Sequence, residues 1–318
     1  MGPLQSNLSV KDGAKIIKRA FDLGVNFIDT AQLYKTYPYI KAALELYNNS
    51  GANNNTKNKI IISTKTYAYT RKLAKDALDE ALRELGSDCI DIFMLHEQES
   101  IHTIYGHIEA LEYLFEQKKA GVIKAVGIST HCVAGVLGAV EFNKTYKNNK
   151  EKLDVVHPLY NMTGLGIIPE KGLKESAVSQ MEAALTEAKK SGFFIFSMKP
   201  LGGGNLYAQA ENALGFVSGK DFIDSIAVGM KSELEVEENV SFFDTGKFTD
   251  KYYKSCLDDV NKKRLHIDYW CEGCGRCVKA CPSKALEIIN GAAVCNHEKC
   301  VLCGYCSCVC DCFAIKII

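Results

Sequence analysis

From residue 9 to about residue 246, short apolar runs rich in β-branched residues alternate with longer stretches whose apolar positions recur at helical spacing. This alternation predicts repeated strand–helix units around a parallel sheet. Seven runs read as strands: residues 25–30, 59–65, 90–96, 125–129, 155–160, 193–199 and 225–230. Several are apolar without interruption, as a strand covered on both faces requires. In the stretch 69–85, Leu73, Ala77, Leu78, Ala81 and Leu85 repeat at helical spacing and Gly86 stands ready to cap, so a helix on the outside of a barrel is expected there. Ser9 is a good N-cap for the first helix. Closing a barrel couples strand number, tilt and shear and calls for eight strands, so one is missing. Met1–Leu8 includes Pro3 and little that could form a buried strand, so the expectation is a first strand encoded upstream of Met1, without which two bare edges invite aggregation. The polar segment 48–59 reads as an exposed loop and the charged stretch 249–264 as a helical connector. The α/β fold expected over residues 1–247 is a (β/α)8, TIM-type barrel lacking its first strand, with the connector at 248–265.

A barrel of this kind takes about 250 residues, so 318 leave room for one small appendage. No apolar run approaches the roughly 20 residues of a membrane span. Thirty-eight basic and 38 acidic residues balance without a long single-sign block, which argues against a nucleic-acid partner. Cysteine changes the picture: there are 14, and eleven fall between Cys271 and Cys312. The N-terminus, MGPLQSNLSVKDG, lacks the basic-then-apolar pattern of a signal peptide, so disulfides formed during secretion explain these cysteines poorly. A reducing cytoplasm and metal ligation explain them better.

Residues 271–282 read C-E-G-C-G-R-C-V-K-A-C-P, which sets Cys271, Cys274, Cys277 and Cys281 in the C-x2-C-x2-C-x3-C-P run of bacterial ferredoxins. The spacing recurs at Cys300, Cys303, Cys306 and Cys310. Two-residue spacers let three thiolates wrap one four-iron cube, while the cysteine beyond the three-residue spacer reaches the other cube. On that rule one [4Fe–4S] cluster takes Cys271, Cys274, Cys277 and Cys310, and the second takes Cys300, Cys303, Cys306 and Cys281. Structural zinc or a disulfide framework would compete for isolated C-x2-C pairs, but two full runs favour iron–sulfur. Asp311 replaces the usual proline in the second run, and Cys308 and Cys312 flank Cys310, so a ligand swap to either stays open. Cys295, with these two, otherwise reads as a small buried hydrophobe or spare thiol. Residues 266–318 are therefore expected to form a small α+β, ferredoxin-like domain.

Five segments of the barrel region carry a resemblance: G-V-N-F-I-D-T-A-Q-L-Y, I-I-S-T-K, F-M-L-H, A-V-G-I-S-T and S-M-K-P-L-G-G-G-N-L. In order and spacing they are similar to the motifs of the aldo-keto reductases, over nearly all of residues 9–246. The resemblance places the family's catalytic tetrad at Asp29, Tyr34, Lys65 and His96, at or just past strand C-termini, where barrel active sites lie. A carbonyl accepting a hydride develops negative charge on oxygen and needs a proton donor and an electrostatic partner. Tyr34 is the candidate acid, and a nearby Lys65 ammonium should lower its pKa. Asp29 should hold Lys65 charged, and neutral His96 should orient the carbonyl through a ring N–H.

For a nicotinamide cofactor, NAD or NADP, the resemblance implies Ser129, Thr130, His157 and Asn161 near the carboxamide. Met198 takes the place of the usual stacking ring, Leu201 and Gly203 belong to a glycine-rich turn for the pyrophosphate, and Lys231 and Asn239 lie at the adenosine end. The family commonly has Asn where Thr130 stands and Gln where His157 stands, and Glu235 stands where an arginine often meets the extra phosphate of NADPH. Two functions follow. One is a cytoplasmic reductase moving hydride between NAD(P)H and a small carbonyl compound, its clusters trading electrons with a protein partner. The other is an electron-transfer or redox-sensing protein whose barrel is a docking module. Mouth-loop residues such as Tyr37, Tyr67, Tyr69 and Gln98 are too generic to name a substrate.

Overall fold

The computed structural model describes residues 8–49, 59–252, 264–281, 283–300 and 304–317. All seven expected strands form: β1 (Phe27–Asp29), β2 (Ile61–Thr66), β3 (Ile90–Leu95), β4 (Ile123–Thr130), β5 (Val155–Pro158), β6 (Phe194–Met198) and β7 (Ser225–Ala227). They pair in sequence order, and each pairing is parallel. Among the described residues β1 and β7 each have one neighbour, so the barrel is nearly closed with one gap. Residues 1–7, expected to supply no barrel strand, lie outside the described residues, as do most of the loop at 48–59 and residues 253–263 of the connector.

Two apolar layers hold the barrel. Ile92, Met94, Val155 and Phe196 fill its interior with Phe27 and Ile61 packed against them, while Phe93, Leu95, Val126 and Ile128 face the surrounding helices. Fully burying a side chain of this size stabilises by about 1.5–3 kcal/mol, and the alternation along β3 supplies both layers from one strand. Helix α1 (Val10–Asp22) starts on Ser9, whose hydroxyl accepts from the Asp12 amide, and packs on α2 (Tyr37–Asn49). Across the gap, Arg19 of α1 donates to Glu237 at 2.8 Å and so ties the first helix to the helix Glu233–Thr245. The helix α3 (Arg71–Leu85) ends on Gly86 in the left-handed region, φ +68°. Its buried face is Ala74, Ala77, Leu78, Ala81 and Leu85, and Leu73, expected on that face, is exposed. Ala74 takes the place because it continues the i, i+3, i+4 stripe through Ala77 and Leu78.

The C-terminal module contains two antiparallel pairs, β8 (Leu265–Ile267) with β11 (Ile315–Ile317) and β9 (Leu286–Ile289) with β10 (Ala292–Cys295). Two short helices, Arg276–Ala280 and Tyr305–Cys308, carry the cysteine runs. A small apolar centre of Leu265, Leu286, Ala293 and Ile315 includes Cys277 and Cys306. The module is not separate from the barrel: Phe313, 2% exposed, is part of the barrel's own hydrophobic core.

Candidate active site

The first residues past the strands ring the barrel mouth. Asp29 ends β1, Lys65 lies one residue before the end of β2, and His96, His131 and Lys199 directly follow β3, β4 and β6. Lys65 is 1% exposed and its Nζ donates to both Asp29 carboxylate oxygens, at 2.7 and 2.6 Å, and to the Thr30 carbonyl at 2.7 Å. Burial penalises the Asp29 carboxylate, but Lys65 and His157 outweigh that penalty and hold its pKa far below the carboxylate range. The Tyr34 turn (Gln32–Tyr34) is closed by Lys35 in the left-handed region, φ +54°, and directs the phenol toward His96. Tyr34 Oη and His96 Nε2 are 3.5 Å apart, and Lys65 Nζ is 5.5 Å from the Tyr34 ring centre.

The structure corrects the expected tuning of Tyr34. Its pKa is raised, by burial first and then by the Asp29 and Glu97 charges. Lys65 cannot act as a free cation on the phenol because its charge is neutralised by a bidentate carboxylate. Tyr34 is therefore a protonated hydrogen-bond donor across the neutral range. Burial and the Lys65 charge push the His96 pKa well below its ordinary value, so its imidazole is neutral, and its Nδ1 is buried without a hydrogen-bond partner among the described residues. Tyr67 stacks on the His96 ring at 4.5 Å and donates its hydroxyl to Glu97 at 2.6 Å, fixing the imidazole plane. The four tetrad candidates thus meet in one site.

A cleft of about 1410 Å³ opens over them and is lined by Asp29, Tyr34 and His96 together with His157, Met198, Leu201, Gly203, Lys231 and Asn239. Three other expected cofactor residues do not line it. Ser129 and Thr130 are fully buried: the Ser129 hydroxyl accepts from the Glu97 amide at 2.9 Å, and the Thr130 hydroxyl bonds the Cys132 backbone. Asn161 is likewise buried, its side chain knitting its own loop through the Thr163 and Leu165 backbone. His157 has a second role that sequence reasoning missed. Its Nδ1 lies 2.6 Å from the Phe196 carbonyl, and its Nε2 is 3.6 Å from Asp29, behind the Asp29–Lys65 pair. Near the adenosine end, Glu235 accepts from the Lys231 amide at 2.7 Å at the start of its helix. Glu238 is turned away, bonding the Thr249 amide at 2.9 Å.

Sequence reasoning also missed Lys199 and His131, although each directly follows a strand that it had identified. Lys199 Nζ is 3.0 Å from His131 Nε2 and 3.9 Å from the Phe313 ring centre. Burial and the nearby Lys316 charge bring its pKa down to about 7. Trp270, Cys312, Phe313 and Lys316 of the module line the same cleft.

The two cysteine runs are held alike. Gly275 and Gly304, each one residue past the second cysteine of its run, take left-handed backbone at φ +74° and +78° and start the short helices. Cys277 and Cys306 are each 6% exposed. The Cys281 sulfur accepts from the amide of Ala285 at 3.2 Å, and the Cys310 sulfur from that of Ala314 at 3.3 Å, the same offset in both runs. Cys271 accepts from the Ala293 amide at 3.4 Å and Cys274 from Arg276 at the same distance. Buried thiols at Cys277 and Cys306, beside sulfurs that already receive N–H donors, fit iron–sulfur ligation, where such bonds stabilise the charged sulfurs. Cys300 packs against the same centre, and Cys303 and the Cys308 side chain lie outside the described residues. Among the described residues no three ligand side chains gather at the spacing of a single metal ion.

A family model described as the aldo/keto reductase family matches residues 4–221, 218 of the 318. The chain belongs to the aldo/keto reductase family. A 4Fe-4S binding domain model matches residues 267–287, which hold the first cysteine run. Methylglyoxal reductase DkgA of Escherichia coli (strain K12) is 30% identical over 112 residues, 35% of this chain and 38% of that protein. The NADPH-dependent alpha-keto amide reductase of Saccharomyces cerevisiae is 30% identical over 115 residues, 35% of each chain. The chain thus spans less than two fifths of the length of these curated relatives. The aldo-keto reductase AKR11C1 from Bacillus halodurans superposes with a TM-score of 0.56 at 21% identity, over 79% of this chain and 87% of that one. That likeness extends to the barrel fold. No helix among the described residues is long and apolar enough to cross a membrane.

Proposed function

We propose that the barrel is an NAD(P)H-linked reductase of a small carbonyl compound and that the module holds two [4Fe–4S] clusters exchanging electrons with a protein partner. The observation carrying the first part is that Asp29, Tyr34 and neutral His96 open on one cleft, with Lys65 buried and bound to Asp29. Bound NAD(P)H supplies the hydride. His96 donates a ring N–H to the carbonyl oxygen and sets its direction, and Tyr34 gives its proton as charge develops on that oxygen. Tyr34 regains its proton from water, and the Asp29–Lys65 pair, with His157 against Asp29, holds the site together. The names of the bacterial and yeast relatives, a methylglyoxal reductase and a keto amide reductase, favour small 2-oxo compounds.

Met198, Leu201, Gly203, Lys231, Asn239 and His157 would meet the nucleotide, a role supported by their lining the cleft. For the clusters, the matching N–H···S bonds at Cys281 and Cys310 support a second site built like the first. Cys271, Cys274, Cys277 and Cys310 would hold one cluster, and Cys300, Cys303, Cys306 and Cys281 the other. Thiol ligation of this kind suits a reducing cytoplasm. Domain limits at residues 247 and 265 divide the two chemistries.

A second reading is favoured by Ser129, Thr130 and Asn161 lying off the cleft: the barrel would dock a partner and the clusters alone would be redox-active. Anaerobic mixing of the iron-loaded protein with NADH or NADPH, alone and with a panel of small aldehydes and ketones, separates the two. Carbonyl-dependent nucleotide oxidation is expected from the reductase. No turnover across the panel with either nucleotide would leave the second reading.

A further inference from the structure

The glycine-rich turn suited to the nucleotide's pyrophosphate is covered by the chain's own C-terminal strand. A Cβ at Gly203 would stand 2.8 Å from the Phe313 ring, and one at Gly204 would stand 2.5 Å from the Ile317 carbonyl oxygen. From the other side, a Cβ at Gly166 would stand 2.5 Å from the same ring. All three glycines have positive φ, +65°, +97° and +82°, so they form a socket that no other residue could line at this approach. Phe313 itself adopts φ +52°, a conformation that bulky residues avoid unless their surroundings impose it. Lys199 Nζ sits 3.9 Å from the ring centre, and the buried Lys316–Asp268 pair anchors the strand behind it.

We propose that the segment Phe313–Ile317 is a plug in the pyrophosphate seat, so that NAD(P)H binds only as this segment leaves. The inference rests on the nucleotide reading above. Ring and phosphate cannot share the socket, because its walls are already at van der Waals contact with Phe313. A ligand that binds only the unplugged state has its affinity reduced by the fraction of molecules in that state. The effect is reciprocal, so whatever holds the plug in place weakens the nucleotide by the same factor. Cys310, a candidate cluster ligand, is one such hold: the Phe313 amide donates to its carbonyl at 3.0 Å.

The test uses the full-length, iron-loaded protein under anaerobic conditions. Calorimetric titration with NADPH and with NADH is compared between wild type and Phe313→Ala, and amide hydrogen exchange of residues 313–317 is followed in the wild type with and without saturating nucleotide. The expectation is binding tightened by about tenfold or more in the variant, as a shift from a mostly plugged population gives, and faster exchange in the wild type on nucleotide addition. Equal affinity with unchanged exchange overturns the plug and leaves nucleotide binding standing. Weaker binding by Phe313→Ala also overturns it, since the ring would then belong to the nucleotide site. Failure of both proteins to bind either nucleotide removes the nucleotide reading and the plug with it. Should Phe313→Ala not fold, wild-type exchange decides alone: acceleration supports the plug, and no change or protection refutes it.

Discussion

Asp29→Asn tests the site's foundation because it leaves every other side chain in place while removing the carboxylate from a buried ammonium. Lys65 is 1% exposed, and of its three short bonds two go to Asp29, leaving the Thr30 carbonyl at 2.7 Å. Removing one partner of such a pair costs about 3–5 kcal/mol, since the remaining charge is stranded away from water. For a domain of this size roughly 2–4 °C accompanies each kcal/mol, so melting should fall by about 10 °C. The double variant Asp29→Asn/Lys65→Met replaces the pair by a neutral amide and an apolar chain and should recover most of the loss. The pH sign follows from the depressed Asp29 pKa: its contribution is present above the unfolded carboxylate's value of about 3.9 and is lost as pH falls toward the folded value. Wild type and Asp29→Asn should therefore differ most near neutrality and converge in acid. Urea unfolding followed by circular dichroism at several pH values measures this. A single-variant cost below about 1 kcal/mol, or a double variant no better than the single, would refute the stranded-charge argument.

Tyr34→Phe keeps the ring and removes the proton donor, so carbonyl reduction should drop by about 100-fold or more with nucleotide affinity unchanged; an unaltered rate would exclude Tyr34 as the acid. In the same variant, cluster reduction by a protein partner should keep its original rate, because electron transfer needs no phenolic proton. Cys277→Ser should lose or degrade one four-iron cluster while Cys295→Ser keeps both, read by iron content and electron paramagnetic resonance; equal signals would show the ligand assignment wrong. Lys199, with its pKa lowered to about 7, binds its proton more weakly folded than unfolded, so stability should climb as pH rises from about 7 to about 10. Lys199→Met should flatten that climb in melting curves, and parallel curves for the two proteins would remove Lys199 as its source.

The barrel was legible because its strands announce themselves one at a time. Residues 90–96 are a mostly apolar run, broken only by Asp91 and ending in a histidine, and the strand Ile90–Leu95 leaves His96 at the mouth. The tetrad was legible through the family resemblance, whose motifs carry Asp29, Tyr34, Lys65 and His96 at or just past strand ends. The partners of those residues were less legible. Tyr34 is raised and not lowered because it is buried and faces the Asp29 and Glu97 charges, while Lys65 is held by Asp29 through a 2.6 Å contact across 36 residues of chain. Ser129 and Asn161 illustrate the limit from the other side, since position along a strand names the end but not the direction of a buried side chain.

Phe313 marks where sequence reasoning stops. Its own neighbourhood, C-V-C-D-C-F-A-I, speaks of cluster ligation, and nothing there says that the ring belongs to the core of a domain more than 60 residues away. The glycines of the turn are visible in the sequence, but a glycine states only that something approaches closely. The family resemblance is what names phosphate as the occupant. In this chain the close approaches at Gly166, Gly203 and Gly204 are made by Phe313 and Ile317, so that three separate backbone positions converge on one five-residue segment, Phe313–Ile317. An accidental apposition would leave some of those positions with ordinary clearance. Three tight approaches at once mean that the socket and the strand fit as a pair, and that the cluster module and the nucleotide turn cannot change independently.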